Sequence, residues 1–254
     1  MREPTRLLRR TPTRERATSF GRDTVSYNVG RPGYPIEAVD WLVSRRACVV
    51  ADVGAGTGKL TGILTMLGHE VIAIDPDPRV LGSLTQQHPN ARVIVGSGEK
   101  IPLSDGSVDA VTFGQAWHWV NPRDACREVA RVLAPGGSLG LIWNIRDKSV
   151  PWVRELNRIM GASRPEQMLD DGTPLLTSPF SELECHRFRW EHTMSRRDIV
   201  ALARSRSHLI TAPRAERSRI IADISHLLIH HPDLAGKNTL RMPYVTHAFR
   251  SKLG

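Results

Sequence analysis

From Tyr34 onward, short apolar runs of strand length alternate with stretches in which apolar residues recur at helical spacing. Val39, Leu42 and Val43 follow Pro35 in this way, so a helix is expected over 36–46. Cys48-Val49-Val50-Ala51-Asp52-Val53 is a continuous apolar run ending in glycines, the pattern of a strand buried on both faces. A helix is expected over 59–67, a second strand over Glu70–Asp75, a helix over 77–87, and strands over Ala91–Val95 and Val108–Phe113. Asn121-Pro122 reads as an N-cap followed by proline at the first helical position. The helix behind it carries Ala125, Val129, Val132 and Leu133 on one face. Pro135-Gly136-Gly137 ends that helix, and Ser138–Trp143 is the fifth strand.

Five buried strands alternating with helices imply a parallel sheet covered on both faces, and right-handed crossovers make it doubly wound. Beyond Asn144, a helix is expected over 150–160 and a loop or insertion over 161–180, which holds Gly, Pro, Ser and Asp. A strand over 182–190, helices over 195–209 and 213–230, and a closing strand over 239–249 complete the chain. Ile220, Ile221, Ile224, Leu227 and Leu228 form the apolar face of the last helix. The fold class is therefore α/β, doubly wound, with a mostly parallel seven-stranded sheet and helices on both faces.

Length and composition narrow the function classes. The 254 residues suffice for one large domain with a sizeable core. No apolar run approaches the roughly eighteen residues needed to span a bilayer, and no apolar segment follows the N-terminal charges. A cytoplasmic protein without a membrane partner is expected. Cys48, Cys126 and Cys185 lie far apart with no CxxC pair, so neither a disulfide framework nor a metal site is expected. The formal net charge of +9 is concentrated early, where Arg2, Arg6, Arg9, Arg10, Arg14, Arg16 and Arg22 crowd together. Residues 1–19 read as a flexible basic tail. A mitochondrial presequence is the alternative, and Glu3 and Glu15 count against it. The preference for arginine over lysine also fits a GC-rich coding sequence, and no nucleic-acid partner is inferred from it.

A strand that enters glycines and then a helix presents free backbone N–H groups to a polar ligand. Three loop types compete for Asp52-Val53-Gly54-Ala55-Gly56-Thr57-Gly58. A Walker loop needs glycine and Ser or Thr where Val53 and Leu60 stand, and fails. A dinucleotide fingerprint needs glycine where Lys59 stands, which weakens it. An acidic residue followed by G-x-G-x-G resembles the first motif of the class I S-adenosylmethionine-dependent methyltransferases. The neighbours strengthen the resemblance. Asp75 ends the second strand about twenty residues on, where a carboxylate accepts ribose hydroxyls. The stretch from Gly96-Ser97-Gly98-Glu99 to Asp109-Ala110-Val111 is similar to the family's G-D-A-E-x-L-P-F-x-D-x-S-F-D-x-V. Arg131-Val132-Leu133-Ala134-Pro135-Gly136-Gly137 is similar to its R-V-L-x-P-G-G turn. Phe20-Gly21, Tyr27, Arg31-Pro32-Gly33-Tyr34-Pro35 and Ala116-Trp117-His118-Trp119-Val120 resemble a subgroup that includes trans-aconitate methyltransferase-like small-molecule enzymes.

The resemblance implies a Rossmann-like methyltransferase fold over 20–254, with 145–180 and 192–236 as substrate-side elements. It implies S-adenosylmethionine as cofactor, lined by Asp52, Gly54, Ala55, Gly56, Thr57, Asp75, Pro76, Ser97, Gly98, Glu99 and Gln115. Ser97 departs from the family's Asp and accepts a hydrogen bond more weakly. Tyr27, Arg31, Trp117 and Asn144 are the candidate substrate contacts, and His118 the candidate general base. In the bland alternative, Trp117, His118 and Trp119 only wall the pocket. A small-molecule acceptor is expected. RNA- or protein-modifying methylation, a nicotinamide oxidoreductase and a binding module without turnover stay open, although no N-P-P-[YF] motif or Pro-Cys nucleophile follows the fourth strand. The acceptor's identity and the oligomeric state are not legible.

Overall fold

The computed structural model describes residues 32–43, 49–180, 182–206, 209–210 and 212–253. Tyr27, Arg31, Cys48, the segment containing Phe20-Gly21 and the basic tail over 1–19 lie outside the described residues.

Seven strands form one sheet: β1 Val49–Val53, β2 Glu70–Asp75, β3 Arg92–Val95, β4 Val108–Gly114, β5 Leu133–Arg146, β6 Glu184–Ser195 and β7 Thr239–Lys252. Their order is β3-β2-β1-β4-β5-β7-β6. β1 to β5 pair in parallel, and β7 runs antiparallel between β5 and β6. The helices accompanying the sheet whose bounds are described are α1 Ile36–Leu42, α2 Lys59–Met66, α3 Pro78–Gln87, α4 Pro122–Val132, α5 Pro151–Met160, α6 Arg164–Asp170, α7 Arg196–Arg204 and α8 Arg214–His230. A 3-10 turn spans Trp117–Trp119.

Alternation along β1 shows how the layers form, because successive side chains point to opposite faces. Ala51 and Val53 join the core cluster with Val129, Val132, Leu139 and Leu141, on the α4 side. Val50 joins the cluster with Val39, Leu42, Leu60 and Leu64, on the α1 and α2 side. Asp52 shares the second face and is wholly buried there. A third cluster packs α5, α7 and α8 around Met194, Met242 and Tyr244.

The expected caps and turns largely appear. Asn121 Oδ1 accepts from the N–H groups of Arg123 and Asp124, with Pro122 opening α4. The structure differs over 161–180, where it places α6. Ser163 and Glu166 form a reciprocal capping box at its N-terminus, a Ser-x-x-Glu signal masked by the surrounding Pro, Gly and Asp. β5 is also longer than Ser138–Trp143, because Leu133 already pairs with Val108 before the glycine turn.

Candidate active site

The strand order reverses between β1 and β4, and ligands in open α/β sheets bind beyond the carboxyl ends of the strands near such a point. The glycine loop after β1 lies there. Gly54, Gly56 and Gly58 have φ of +71°, +57° and +89°, in the left-handed region that side chains disfavour. A Cβ on Gly54 would sit 2.5 Å from the Ala116 Cβ, so this backbone is pressed against the loop after β4. A Cβ on Gly56 would point into open space. The loop is anchored to β2: Gly54 and Ala55 donate to the Ile74 carbonyl, and Gly56 N–H donates to Asp75 Oδ2 at 2.9 Å. Asp75 Oδ1 accepts from Asp77 N–H, also at 2.9 Å. Burial raises the Asp75 pKa, and Asp77 adds to this against the two backbone donors. Thr57 is buried, and Pro76 is exposed beside Asp75.

Asp52 stands behind this loop. Its Oδ2 accepts from the Thr61 hydroxyl of α2 at 2.6 Å, and its Oδ1 from the Thr112 hydroxyl of β4 at 3.4 Å. Burial, joined by repulsion from Asp75, raises its pKa to about 6 despite the two threonines. A carboxyl whose folded pKa exceeds its unfolded value stabilises fully below the unfolded value and loses that contribution as pH rises through the folded one. Holding Asp52 ionised at pH 8 therefore costs about 3 kcal/mol. Asp52→Asn is expected to raise the denaturation midpoint at pH 8 and to leave it unchanged near pH 4. A midpoint that falls at pH 8 would contradict the assignment of a strained buried carboxylate.

Beyond β3, Ser97 and Lys100 exchange backbone hydrogen bonds in a tight turn. Gly98 is buried, and a Cβ there would meet Val120 at 2.8 Å and Phe113 at 3.0 Å. Glu99 Oε1 accepts from Asn121 N–H, so this carboxylate ties the loop to the start of α4. Arg131 clamps the same loop from α4, donating to the carbonyls of Ile101 and Leu103 and pairing with Glu128 and Asp105. The arginine of the R-V-L-x-P-G-G stretch thus holds a loop rather than a ligand.

At the end of β4, Gln115 has φ +57°, an uncommon backbone state for a side-chain-bearing residue and one that clusters at functional sites. Its N–H donates to the Ile142 carbonyl and its amide to the Asn144 carbonyl. Asn144 donates to the Gly33 carbonyl at 2.7 Å and accepts from Thr246, which in turn accepts from the Trp190 indole. Trp117 is buried, packs edge-on against Phe113 and donates to the Leu175 carbonyl, which places it in the core. His118 is half-buried, and its Nδ1 accepts a long hydrogen bond, 3.4 Å, from the Trp143 indole. That bond requires an unprotonated Nδ1, so the neutral ring carries its hydrogen on Nε2.

Over the same end of the sheet lies a buried ionic cluster that sequence reading did not find. Arg146, ending β5, pairs with Glu166 of α6 at 2.9 Å and bonds Asn157 of α5. Arg206, just past α7, pairs with the other Glu166 oxygen at 2.8 Å. Ser163 also donates to Glu166. Burial pushes the Glu166 pKa up, but Arg146, Arg206 and Ser163 outweigh it and bring it down to about 2. The Arg164 guanidinium lies 5.1 Å from the Trp119 ring centroid, closing α6 onto the 3-10 turn.

Comparison with known proteins gives this arrangement a family. Residues 51–141 match the family described as Methyltransferase domain. An uncharacterized methyltransferase of Mycobacterium tuberculosis is 44% identical over 245 residues, covering 94% of this chain and 98% of that protein. The chain belongs to the methyltransferase family. An uncharacterized methyltransferase of Schizosaccharomyces pombe is similar at 33% identity over 242 residues, covering 92% and 96% of the two chains. A solved structure from Anaeromyxobacter dehalogenans, described as a candidate type II methyltransferase, shares the fold. Its TM-score is 0.68 at 23% identity, covering 88% of this chain and 98% of that one.

The methyltransferase uses S-adenosylmethionine, and the donor set fits it. Asp75 commits one lone pair of each oxygen to a backbone N–H, and the others can accept the two ribose hydroxyls. Gly56, where an added Cβ would meet nothing, leaves the loop backbone open to close approach by a ligand. Among the described residues, no group of three or more His, Cys, Asp and Glu could hold a metal ion, and no helix is long and apolar enough to cross a membrane.

Proposed function

We propose that this methyltransferase acts on a small-molecule acceptor, in the manner of the trans-aconitate methyltransferase-like enzymes that its motifs resemble. The observation that carries this reading is the cover over the carboxyl ends of β4 and β5. α5, α6 and the end of α7 are locked together by Arg146, Glu166 and Arg206, and α6 is closed onto Trp119. Such a cover suits an acceptor that enters whole better than a polymer laid across an open groove.

In this reading Gly54, Ala55, Gly56, Thr57, Asp75, Pro76, Ser97, Gly98 and Gln115 line the cofactor. Asp52 acts through Thr61 and Thr112, and Glu99 through Asn121. When bound, S-adenosylmethionine supplies an electrophilic methyl group, leaving proximity and alignment to the protein. The decisive experiment incubates the protein with cell extract and methyl-labelled cofactor, then separates the products by size. Label in the low-molecular-weight fraction supports the proposal; label confined to RNA or protein sinks it.

His118 is read as a polar contact to the acceptor rather than a general base, because the Trp143 indole already occupies Nδ1. His118→Gln keeps a donor and is expected to hold turnover within about tenfold of wild type. His118→Ala should fall further, with cofactor affinity unchanged in both. A loss of about a hundredfold or more in His118→Gln restores the general-base role.

A further inference from the structure

Among the described residues, β6 is the outer strand of the sheet, with β7 on one side and no strand on the other. It runs twelve residues without proline or glycine, in unbroken register with β7 from Glu184 to Ser195. A long, regular edge of this kind exposes a row of backbone donors and acceptors. Its two faces differ. His186, Phe188, Trp190 and His192 form an aromatic row on one face, with successive ring centroids 4.6 Å apart at His186–Phe188 and 6.1 Å at Trp190–His192. Trp41 and Tyr244 flank that row. The other face carries exposed Arg187, Arg189, Glu191 and Thr193.

We propose that β6 pairs antiparallel with β6 of a second copy of this chain, about a twofold axis at Trp190, joining two sheets into one. The charges select this register. A twofold normal to the sheet pairs residues of the same face. Centred on Trp190, it sets Arg189 opposite Glu191 of the partner subunit, twice, and Phe188 opposite His192 of the partner subunit, twice. Centred on Arg189 or Glu191, it sets a charge against its own copy. Centred on Phe188, it sets Arg187 against Arg189 of the partner subunit. Within one chain, Arg189 already pairs with Asp147 at 2.6 Å and Glu191 with Arg241 at 3.5 Å. The dimer therefore continues an alternating row of charges across the axis, while the aromatic rows meet on the opposite face. Opposite charges and aromatic pairs are the favourable cross-strand combinations, and like charges the unfavourable ones.

Sedimentation velocity of the full chain over micromolar concentrations tests this. The wild type is expected to dimerise reversibly, and Arg189→Glu and Glu191→Arg each to weaken the dimer by about tenfold or more, since each sets two like pairs across the axis. The double variant Arg189→Glu/Glu191→Arg restores the opposite pairs and should recover the dimer, which also shows that the single variants fold. A wild-type monomer throughout overturns the proposal and leaves the edge to a foreign strand. Dimerisation unmoved by the single reversals, or lost in the double variant, overturns it as well.

Discussion

Replacing Glu166 by glutamine is expected to remove about 3–5 kcal/mol of stability at neutral pH, because it leaves the buried Arg146 and the largely buried Arg206 without their counter-charge. Glu166 and Arg146 are 3% and 6% exposed, so water cannot take the lost partner's place. For a chain of this size the thermal midpoint should fall by about 10 °C. The pH dependence distinguishes this cause from simple loss of packing. The folded pKa of Glu166 is lowered to about 2 from an ordinary 4.5. Its contribution is therefore fully present above pH 4.5 and is lost as pH falls through the folded value, about 3 kcal/mol in all. Denaturant titrations at pH 7 and pH 3 should show the gap between wild type and Glu166→Gln narrowing in acid. A gap of equal size at both pH values would assign the loss to packing. Because α5, α6 and the end of α7 meet at this carboxylate, acceptor turnover should fall before cofactor affinity does.

Gly54→Ala is expected to weaken S-adenosylmethionine binding by about a hundredfold or more, some 2.7 kcal/mol. Two effects act together. The left-handed backbone at φ +71° costs a side-chain-bearing residue about 1–2 kcal/mol, and the new methyl would sit 2.5 Å from Ala116. Relieving the strain by lifting the loop from the Ile74 carbonyl would displace the loop backbone and the Gly56–Asp75 contact at the proposed cofactor site. Gly68→Ala is the matched control: φ is +88°, but nothing lies within 4 Å of the added Cβ, and the residue is remote from the site. It should lower stability by about 1 kcal/mol and leave affinity intact. Calorimetric titration of both variants decides the matter; wild-type affinity in a folded Gly54→Ala would remove the loop from the cofactor site.

Much of the fold follows from local pattern. β1, β2 and β4 are rich in apolar residues because both of their faces are covered, and such runs are legible without knowing what covers them. The Asn121 cap, the glycine loop and Asp75 are equally local, since each works through residues close in sequence or through the backbone itself. α6 was missed because its capping box sits among turn-forming residues, and a helix of seven residues carries little periodicity.

The sequence proposes the site as a set of positions, and the fold supplies the contacts that those positions make. The fold packs Trp117 on Phe113 with its indole on the Leu175 carbonyl, and it brings the Asn121 N–H to one oxygen of Glu99. Asp52 is read from the sequence as a cofactor residue, and only the fold brings Thr61 and Thr112 to its two oxygens. The ionic cluster joins residues 146, 166 and 206, which no spacing rule connects. The sequence alone determined the alternation of strands and helices, the glycine loop after β1 and the family, because these rest on periodicity, caps and contiguous motifs. The tertiary structure alone decided the antiparallel place of β7, the partners of Asp52 and Glu166 and the tautomer of His118, because each depends on groups distant in sequence meeting where water is excluded.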